Sequence, residues 1–329
     1  MSSDGSTIVV GAYLENNATG AVYIFEKGSD DTWTQSAKIT ASDGENDDKF
    51  GISASISSDG STIVVGANSD DDVADAAGAT YIFEKGSGWS NGSTNQSAKI
   101  TASDGAAADF FGGAVAISGD GSTVVVGAAG DDGTTYVSAG AAYIFEKGSG
   151  WSNGSTNESA KVIRGGAAGN PAENNEQFGI SVAVSEDGST VVVGAPLAKI
   201  GANFLGQALV FEKGSGWSSG TTNLSSYYSG SSGTSGDRFG EIVLISEDGL
   251  TILVGYRARS PNIYEKGDGG GSGWNTSNTR HSVPTGAPGA GESISLSEDG
   301  SRFIIGQNLA DPNSISNAGQ ALVFELSGS

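Results

Sequence analysis

Residues Asp59 to Ala67 read DGSTIVVGA, and closely similar stretches begin at Asp4, Asp120, Asp187, Asp248 and Asp299. The six Asp-Gly pairs are spaced by 55, 61, 67, 61 and 51 residues, intervals that suit a four-stranded propeller blade with generous loops. Around the best copy the strands can be read from their period. Phe50-Gly51 opens GISASIS, in which Ile52, Ala54 and Ile56 alternate with Ser53, Ser55 and Ser57, the pattern of a half-buried strand. Asp59-Gly60 makes a tight reversal, glycine accepting the positive φ that other side chains resist. Ile63, Val64 and Val65 are continuous, which predicts a strand buried on both faces. Gly78 to Phe83, GATYIF, is the third strand, with counterparts at 20–25, 140–145, 207–211, 262–264 and 320–324. A single tryptophan at a fixed phase (Trp33, Trp89, Trp151, Trp217 and Trp274) marks the fourth and is expected to pack between blades.

These units predict an all-β, single-domain propeller of four-stranded antiparallel blades. The approximate units are 1–49, 50–109, 110–177, 178–238, 239–290 and 291–329. The first Asp-Gly turn follows Met1-Ser2-Ser3 directly and the last unit stops after ALVFE, so the end units each read as three strands. Six blades is the preferred count; five or seven, with incomplete blades or a second chain closing the ring, are the alternatives, and the partial end units make an oligomer one way to close it.

Phe-Gly steps at Phe50, Phe111, Phe178 and Phe239, with Gly-Ala steps at Gly11, Gly66, Gly127 and Gly194-Ala195-Pro196, resemble the FG-GAP repeat family, which includes the N-terminal propeller of integrin alpha subunits. The pattern departs from the family at Gly255-Tyr256, Gly306-Gln307 and Ala290-Gly291. The resemblance implies recognition or adhesion through loops on one face of the propeller, and it raises calcium as a ligand.

Calcium needs roughly six to eight oxygen ligands. The Asp-Gly turns carry too few carboxylates for that, so the metal candidates are the loop residues Asp70, Asp71, Asp72 and Asp75, with Asp131 and Asp132 in the next unit. A second acidic set precedes the Phe-Gly steps at Asp43, Asp47, Asp48, Asp104 and Asp109. The carboxylates two residues before each Phe (Asp48, Asp109, Glu176 and Asp237) read as caps on backbone N–H groups. Partner contacts are expected in the variable loops 68–77, 129–139, 197–206 and 309–319, with Phe204 and Leu205 as apolar contacts. Tyr136, Tyr227 and Tyr228 are candidate sugar platforms.

With 38 acidic against 16 basic residues, a formal charge of -22 repels nucleic acid and anionic membranes. No apolar run is long enough for a membrane span. Cysteine is absent, so there is neither a disulfide framework nor a thiol nucleophile, and the one histidine, His281, has no context for an activated serine. The resulting expectation is a non-enzymatic, extracellular or cell-surface scaffold for recognition or adhesion that binds a protein or a glycan. The alternatives are a structural surface-assembly protein and a carboxylate-dependent carbohydrate-active enzyme, which needs only two suitably placed acids.

Overall fold

The computed structural model describes residues 1–132, 137–165, 173–230, 236–256, 260–267, 273–274, 293–307 and 319–326. It is a multi-bladed β-propeller whose described residues form six blade-type antiparallel sheets, in chain order. Blade 1 comprises β1 (Thr7–Ala12), β2 (Ala21–Lys27) and β3 (Trp33–Ile39), with a short helix α1 (Glu15–Ala18) between β1 and β2. Blade 2 comprises β4 (Ser53–Ile56), β5 (Thr62–Ala67), β6 (Ala79–Glu84) and β7 (Gln96–Ile100). Blade 3 comprises β8 (Ala114–Ile117), β9 (Thr123–Ala128), β10 (Ala141–Glu146) and β11 (Glu158–Val162). Blade 4 comprises β12 (Ser181–Val184), β13 (Thr190–Ala195), β16 (Gln207–Glu212) and β17 (Leu224–Ser229). Its 197–206 loop adds a two-stranded hairpin, β14 (Lys199–Ile200) with β15 (Asn203–Phe204). Blade 5 shows β18 (Ile242–Ile245), β19 (Thr251–Gly255) and β20 (Asn262–Glu265), and blade 6 shows β21 (Ser293–Leu296), β22 (Arg302–Gln307) and β23 (Gln320–Glu325). The first strands β4, β8, β12, β18 and β21 touch one another in succession, which places them innermost.

Each Asp-Gly reversal is held by its own side chains. The Ser57 hydroxyl donates to Asp59 (2.7 Å), Asp59 accepts from the Ser61 N–H (2.9 Å), and the Thr62 N–H donates to Ser57 Oγ (3.0 Å). The same set recurs at Asp120, Asp187, Asp248 and Asp299. These hydrogen bonds from Ser297 and Ser301 pull the Asp299 carboxyl down to about 2. The reversals are also tied to one another. Ser3 N–H donates to the Ser58 carbonyl, Ser58 to Gly119, Asp120 to Glu186, Glu186 to Glu247 and Glu247 to Glu298, so a backbone ladder links the six turns in order.

The cores lie between blades. Ile63, Val65, Tyr81 and Phe83 face blade 1, where they meet Ile24 and Ile39, while Val64, Ile82 and Ile100 face blade 3. The continuous apolar run of the second strand therefore has a neighbour on each side. Phe50 is fully buried, with its ring edge-on to Tyr81 and Phe83 at 5.4 and 5.9 Å. The glycine of the Gly-Ala step serves a close approach: a Cβ on Gly66 would lie 1.9 Å from the Gly112 carbonyl oxygen of the next blade. Gly78, at φ +85°, sits against the Phe111 carbonyl in the same way.

Trp89, Trp151, Trp217 and Trp274 are all at least nine-tenths buried, whereas Trp33 is 40% exposed. Trp89 precedes its strand, which opens only at Gln96. The intervening turn is pinned by the Asn95 amide, which donates to the carbonyls of Glu84, Lys85 and Gly88. Among the described residues no helix is long and apolar enough to cross a membrane.

Candidate functional site

At the junctions between blades, side chains distant in sequence meet in repeated clusters. The Tyr81 hydroxyl donates to Asp43 and Asp70 (both 2.8 Å), and the Lys99 ammonium lies within 2.5 to 3.0 Å of Asp43, Asp70 and Asp72. One junction on, Tyr143 donates to Asp104 and Asp131 at 2.7 Å, and Lys161 binds both at 2.7 Å. Blade 1 carries a smaller version in Tyr23, Glu15 and Lys38. Burial alone would lower Lys99, but its hydrogen bonds to Asp70, Asp72 and Asp43 hold it above the ordinary lysine range. Burial, then the charge of Asp70, pushes the Tyr81 phenol up.

Three of the metal candidates, Asp70, Asp72 and Asp131, thus converge on lysines rather than on an open oxygen cage. Asp71, Asp75 and Asp132 are exposed. Among the described residues no three acidic or histidine side chains are grouped to hold a metal ion. At the next junction the pattern changes: Arg164 and Glu176, both almost fully buried, pair at 2.7 Å, and Arg164 Nε donates to Gln207 at 2.6 Å. Desolvation raises the Glu176 carboxyl despite the arginine.

The buried Asp48 and Asp109 carboxylates accept the N–H groups of Glu45 (2.6 Å) and Ala106 (2.8 Å). Desolvation, reinforced by neighbouring aspartates, lifts each to about 6. The residues flanking Asp48, Asp109 and Glu176 have unusual backbone: Asp47 and Lys49, Ala108 and Phe110, and Asn175 and Gln177 all have φ between 55° and 68°. Such left-handed conformations cost of order 1–3 kcal/mol each for a non-glycine residue. Hydrogen bonds to the preceding blade fix them, from Phe110 N–H to the Ala76 carbonyl and from Asn175 N–H to the Val137 carbonyl.

Where blades 2, 3 and 4 meet, two of these loops frame a cleft of ≈ 350 Å³. Its walls include Asn68, Phe110, Ser138, Asn175, Gln177 and Ile180. Phe110 is 39% exposed there and supplies an aromatic surface beside three side-chain amides. The Asp132 carboxylate reaches the wall, accepting the Ser138 N–H at 2.8 Å. Sequence reasoning pointed to Asp132 but missed Phe110. Its double aromatic Phe110-Phe111, where the other units have Lys, Gln or Arg before Phe-Gly, was the available signal.

The remaining candidates do not gather here. Phe204 is exposed on β15 beneath the Lys199 ammonium, and Leu205 is buried. Tyr227 packs against the core between blades 3 and 4. Tyr228 is buried and stacked on Tyr264 at 3.6 Å. Tyr136, His281, nearly all of the 309–319 loop and the Ala290-Gly291 step lie outside the described residues.

Residues 33–83 and 94–145 match the FG-GAP repeat, so that motif is present over two stretches of the chain. No curated protein matches the chain. Among solved structures, one from Bacteroides uniformis, described as a "putative 6-phosphogluconolactonase", is similar over 98% of this chain and 79% of its own, with a TM-score of 0.55 and 14% sequence identity. That likeness concerns the fold. It overturns the expectation of a non-enzymatic recognition or adhesion scaffold, because nearly the whole architecture is shared with a protein described as an enzyme, and the step from FG-GAP propeller to adhesion without catalysis does not hold.

Proposed function

We propose that this chain is a carbohydrate-active propeller whose cleft between blades 2, 3 and 4 takes a neutral, polyhydroxylated ring and hydrolyses a sugar lactone. The observation that carries the reading is the exposed Phe110 face beside Asn68, Asn175 and Gln177. An aromatic platform flanked by amides offers stacking to the ring's C–H face and donors and acceptors to its hydroxyls. The fold shared with the Bacteroides protein supports a lactone as the substrate class. Among the described residues no lysine or arginine lines the cleft, and the chain carries a charge of -22, so the substrate in this reading is an unphosphorylated lactone.

Asp132, whose carboxylate accepts the N–H of the wall residue Ser138, is assigned the role of general base. Water's oxygen attacks the lactone carbonyl carbon as one water proton passes to Asp132. The ring C–O bond then breaks, and the proton goes to the departing alkoxide, leaving a hydroxy acid. The chain functions in this reading as one propeller of six repeat units, exported from the cell, where a cysteine-free acidic surface is serviceable.

The test is hydrolysis of glucono-δ-lactone against its 6-phosphate, followed by pH-stat. The neutral lactone is turned over in preference. Phe110→Ala raises KM at least tenfold, and Asp132→Asn lowers kcat by about 10²-fold. Background-level hydrolysis of both substrates, with no saccharide binding detected by calorimetry, defeats the proposal.

A further inference from the structure

The turns that lead into the fourth strands of blades 2 and 3 carry a repeated motif that neither the fold nor the cleft accounts for. Residues 91–97 read NGSTNQS and residues 153–159 read NGSTNES. Each turn therefore holds two Asn-x-Ser motifs for attachment of an N-linked sugar, at Asn91 and Asn95 and at Asn153 and Asn157. The counterpart in blade 4, residues 219–225, reads SGTTNLS and keeps only the second, at Asn223. Of the other Asn-x-Ser/Thr motifs, Asn17 belongs to α1 and Asn275 lies outside the described residues.

The two motifs of each turn sit in opposite surroundings. Asn95, Asn157 and Asn223 are half-buried, and each side-chain nitrogen lies 2.9 to 3.2 Å from three carbonyl oxygens. An N-linked sugar replaces one of the two amide hydrogens, so at these positions it would dismantle the pin that shapes the turn. Asn91 and Asn153 are exposed and engage only the other end of the amide. Asn91 Oδ1 accepts the Lys38 N–H of the preceding blade at 2.8 Å, and Asn153 Oδ1 accepts the Lys99 N–H at 2.9 Å. Among the described residues their side-chain nitrogens have no partner. Blade 4 shows that the bond between blades does not need an amide, since Ser219 Oγ accepts the Lys161 N–H at 3.1 Å. The backbone holds the tip of the first turn as well, from Gly92 N–H to the Lys38 carbonyl at 2.9 Å and from Thr40 N–H to the Gly92 carbonyl at 3.3 Å. A Cβ on Gly92 or Gly154 would meet nothing within 4 Å, so the free nitrogen stands on a fixed tip with open space beside it.

We propose that Asn91 and Asn153 are acceptor sites for an N-linked oligosaccharide, and that Asn95, Asn157 and Asn223, which carry the same motif, are not. The amide nitrogen bonds to C1 of an oligosaccharide carried on a lipid diphosphate. The bond from C1 to the diphosphate oxygen breaks, its electron pair leaves on the diphosphate, and one amide proton passes to a base of the transferase. Oδ1 keeps its hydrogen bond to the preceding blade, so the modified and unmodified chains share one fold. Attachment requires only the export invoked in the proposed function. None of the residues lining the cleft belongs to either turn, and the sites are independent of lactone hydrolysis.

The test secretes the full chain, behind a removable signal peptide, from a eukaryotic host that makes high-mannose sugars. An endoglycosidase then trims each sugar to a single N-acetylhexosamine, and fragmentation spectra of the peptides place that stub on individual asparagines. Such a stub is not confused with spontaneous deamidation of the Asn-Gly pairs. Stubs are expected on Asn91 and Asn153 and on none of Asn95, Asn157 and Asn223. Ser93→Ala removes the stub from Asn91 alone, and Ser155→Ala removes it from Asn153 alone. An unmodified Asn91 or Asn153 in the secreted chain overturns the proposal, and so does a stub on Asn95, Asn157 or Asn223 of folded, secreted chain. If secretion fails, the same peptides are mapped from chain translated into microsomes, where an unmodified Asn91 or Asn153 overturns it equally.

Discussion

Arg164 is the residue with most at stake in its own environment. Removing its guanidinium leaves Glu176 as a buried acid without its cation. Breaking a buried pair from one side costs about 3–5 kcal/mol, whereas replacing both partners by apolar groups is often neutral. Arg164→Met is therefore expected to lose about that much in urea unfolding, and the double variant Arg164→Met with Glu176→Leu to recover most of it. A double variant as unstable as the single one would refute this account. The pair was not legible in the sequence, where Glu176 stood only as a capping acid. Arg164 reaches Glu176 and Gln207 across 12 and 43 residues, and no periodicity connects those positions. The exposure of Phe110, unlike its double-aromatic signal, was illegible for a related reason: it depends on a left-handed backbone held by the preceding blade.

For the strands and turns, pattern was a better guide. The Asp-Gly reversals, the doubly buried second strands of blades 2 to 5 and the buried phase of Trp89, Trp151, Trp217 and Trp274 could be read from repetition, because each recurs at a fixed place in its unit. The start of the fourth strand could not, since the Asn95 amide pins a turn that the tryptophan only introduces. Asn95, Asn157 and Asn223 each spend their side-chain nitrogen on such a pin. The glycines of the Gly-Ala step are explained only by the next blade. Gly66→Ala drives a methyl into the Gly112 carbonyl and is expected to destabilise by about 3 kcal/mol or more. Gly88→Ala, with open space around its Cβ position, should change stability by less than about 0.5 kcal/mol. Equal effects in parallel thermal melts would disprove the close-packing explanation.

Across the whole molecule, the titration behaviour follows from where the acids sit. Asp48 and Asp109 titrate near 6 when folded, against an ordinary aspartate value of 3.8, because desolvation favours their protonated forms. The folded state then binds protons more tightly than the unfolded one. That stabilisation is complete below about pH 4 and is lost as pH rises through 6. Asp43 and Asp104 are depressed despite their burial, by hydrogen bonds from Lys99 and Tyr81 and from Lys161 and Tyr143. Their contribution is present above the ordinary carboxylate range and is lost as pH falls through their lowered values. Self-repulsion from a charge of -22 also eases on acidification. Calorimetry from pH 3 to 8 is expected to place the highest melting temperature near pH 4–5. Asp48→Asn with Asp109→Asn should raise melting at pH 8 and flatten the decline above pH 5. A maximum at pH 7–8, unmoved by the double substitution, would show that these carboxyls are ionised without penalty. The overall architecture was readable from the spacing of the Asp-Gly pairs, whereas the cleft was not, because it is assembled from three units at once.

Ion pairs run from blade to blade, from Lys85 to Glu26, Lys147 to Glu84, Lys213 to Glu146 and Lys266 to Glu212, and they bear on how such an array grows. In Glu26-Lys27, Glu84-Lys85, Glu146-Lys147 and Glu212-Lys213 the two charges are adjacent, the acid serving the following unit and, from blade 2 onward, the base serving the preceding one. A one-period segment that spans one of these Glu-Lys steps, or is cut within it, carries both halves of the joint. A tandem duplication therefore arrives with its seams already matched, and the array can lengthen by recombination without waiting for compensating point changes.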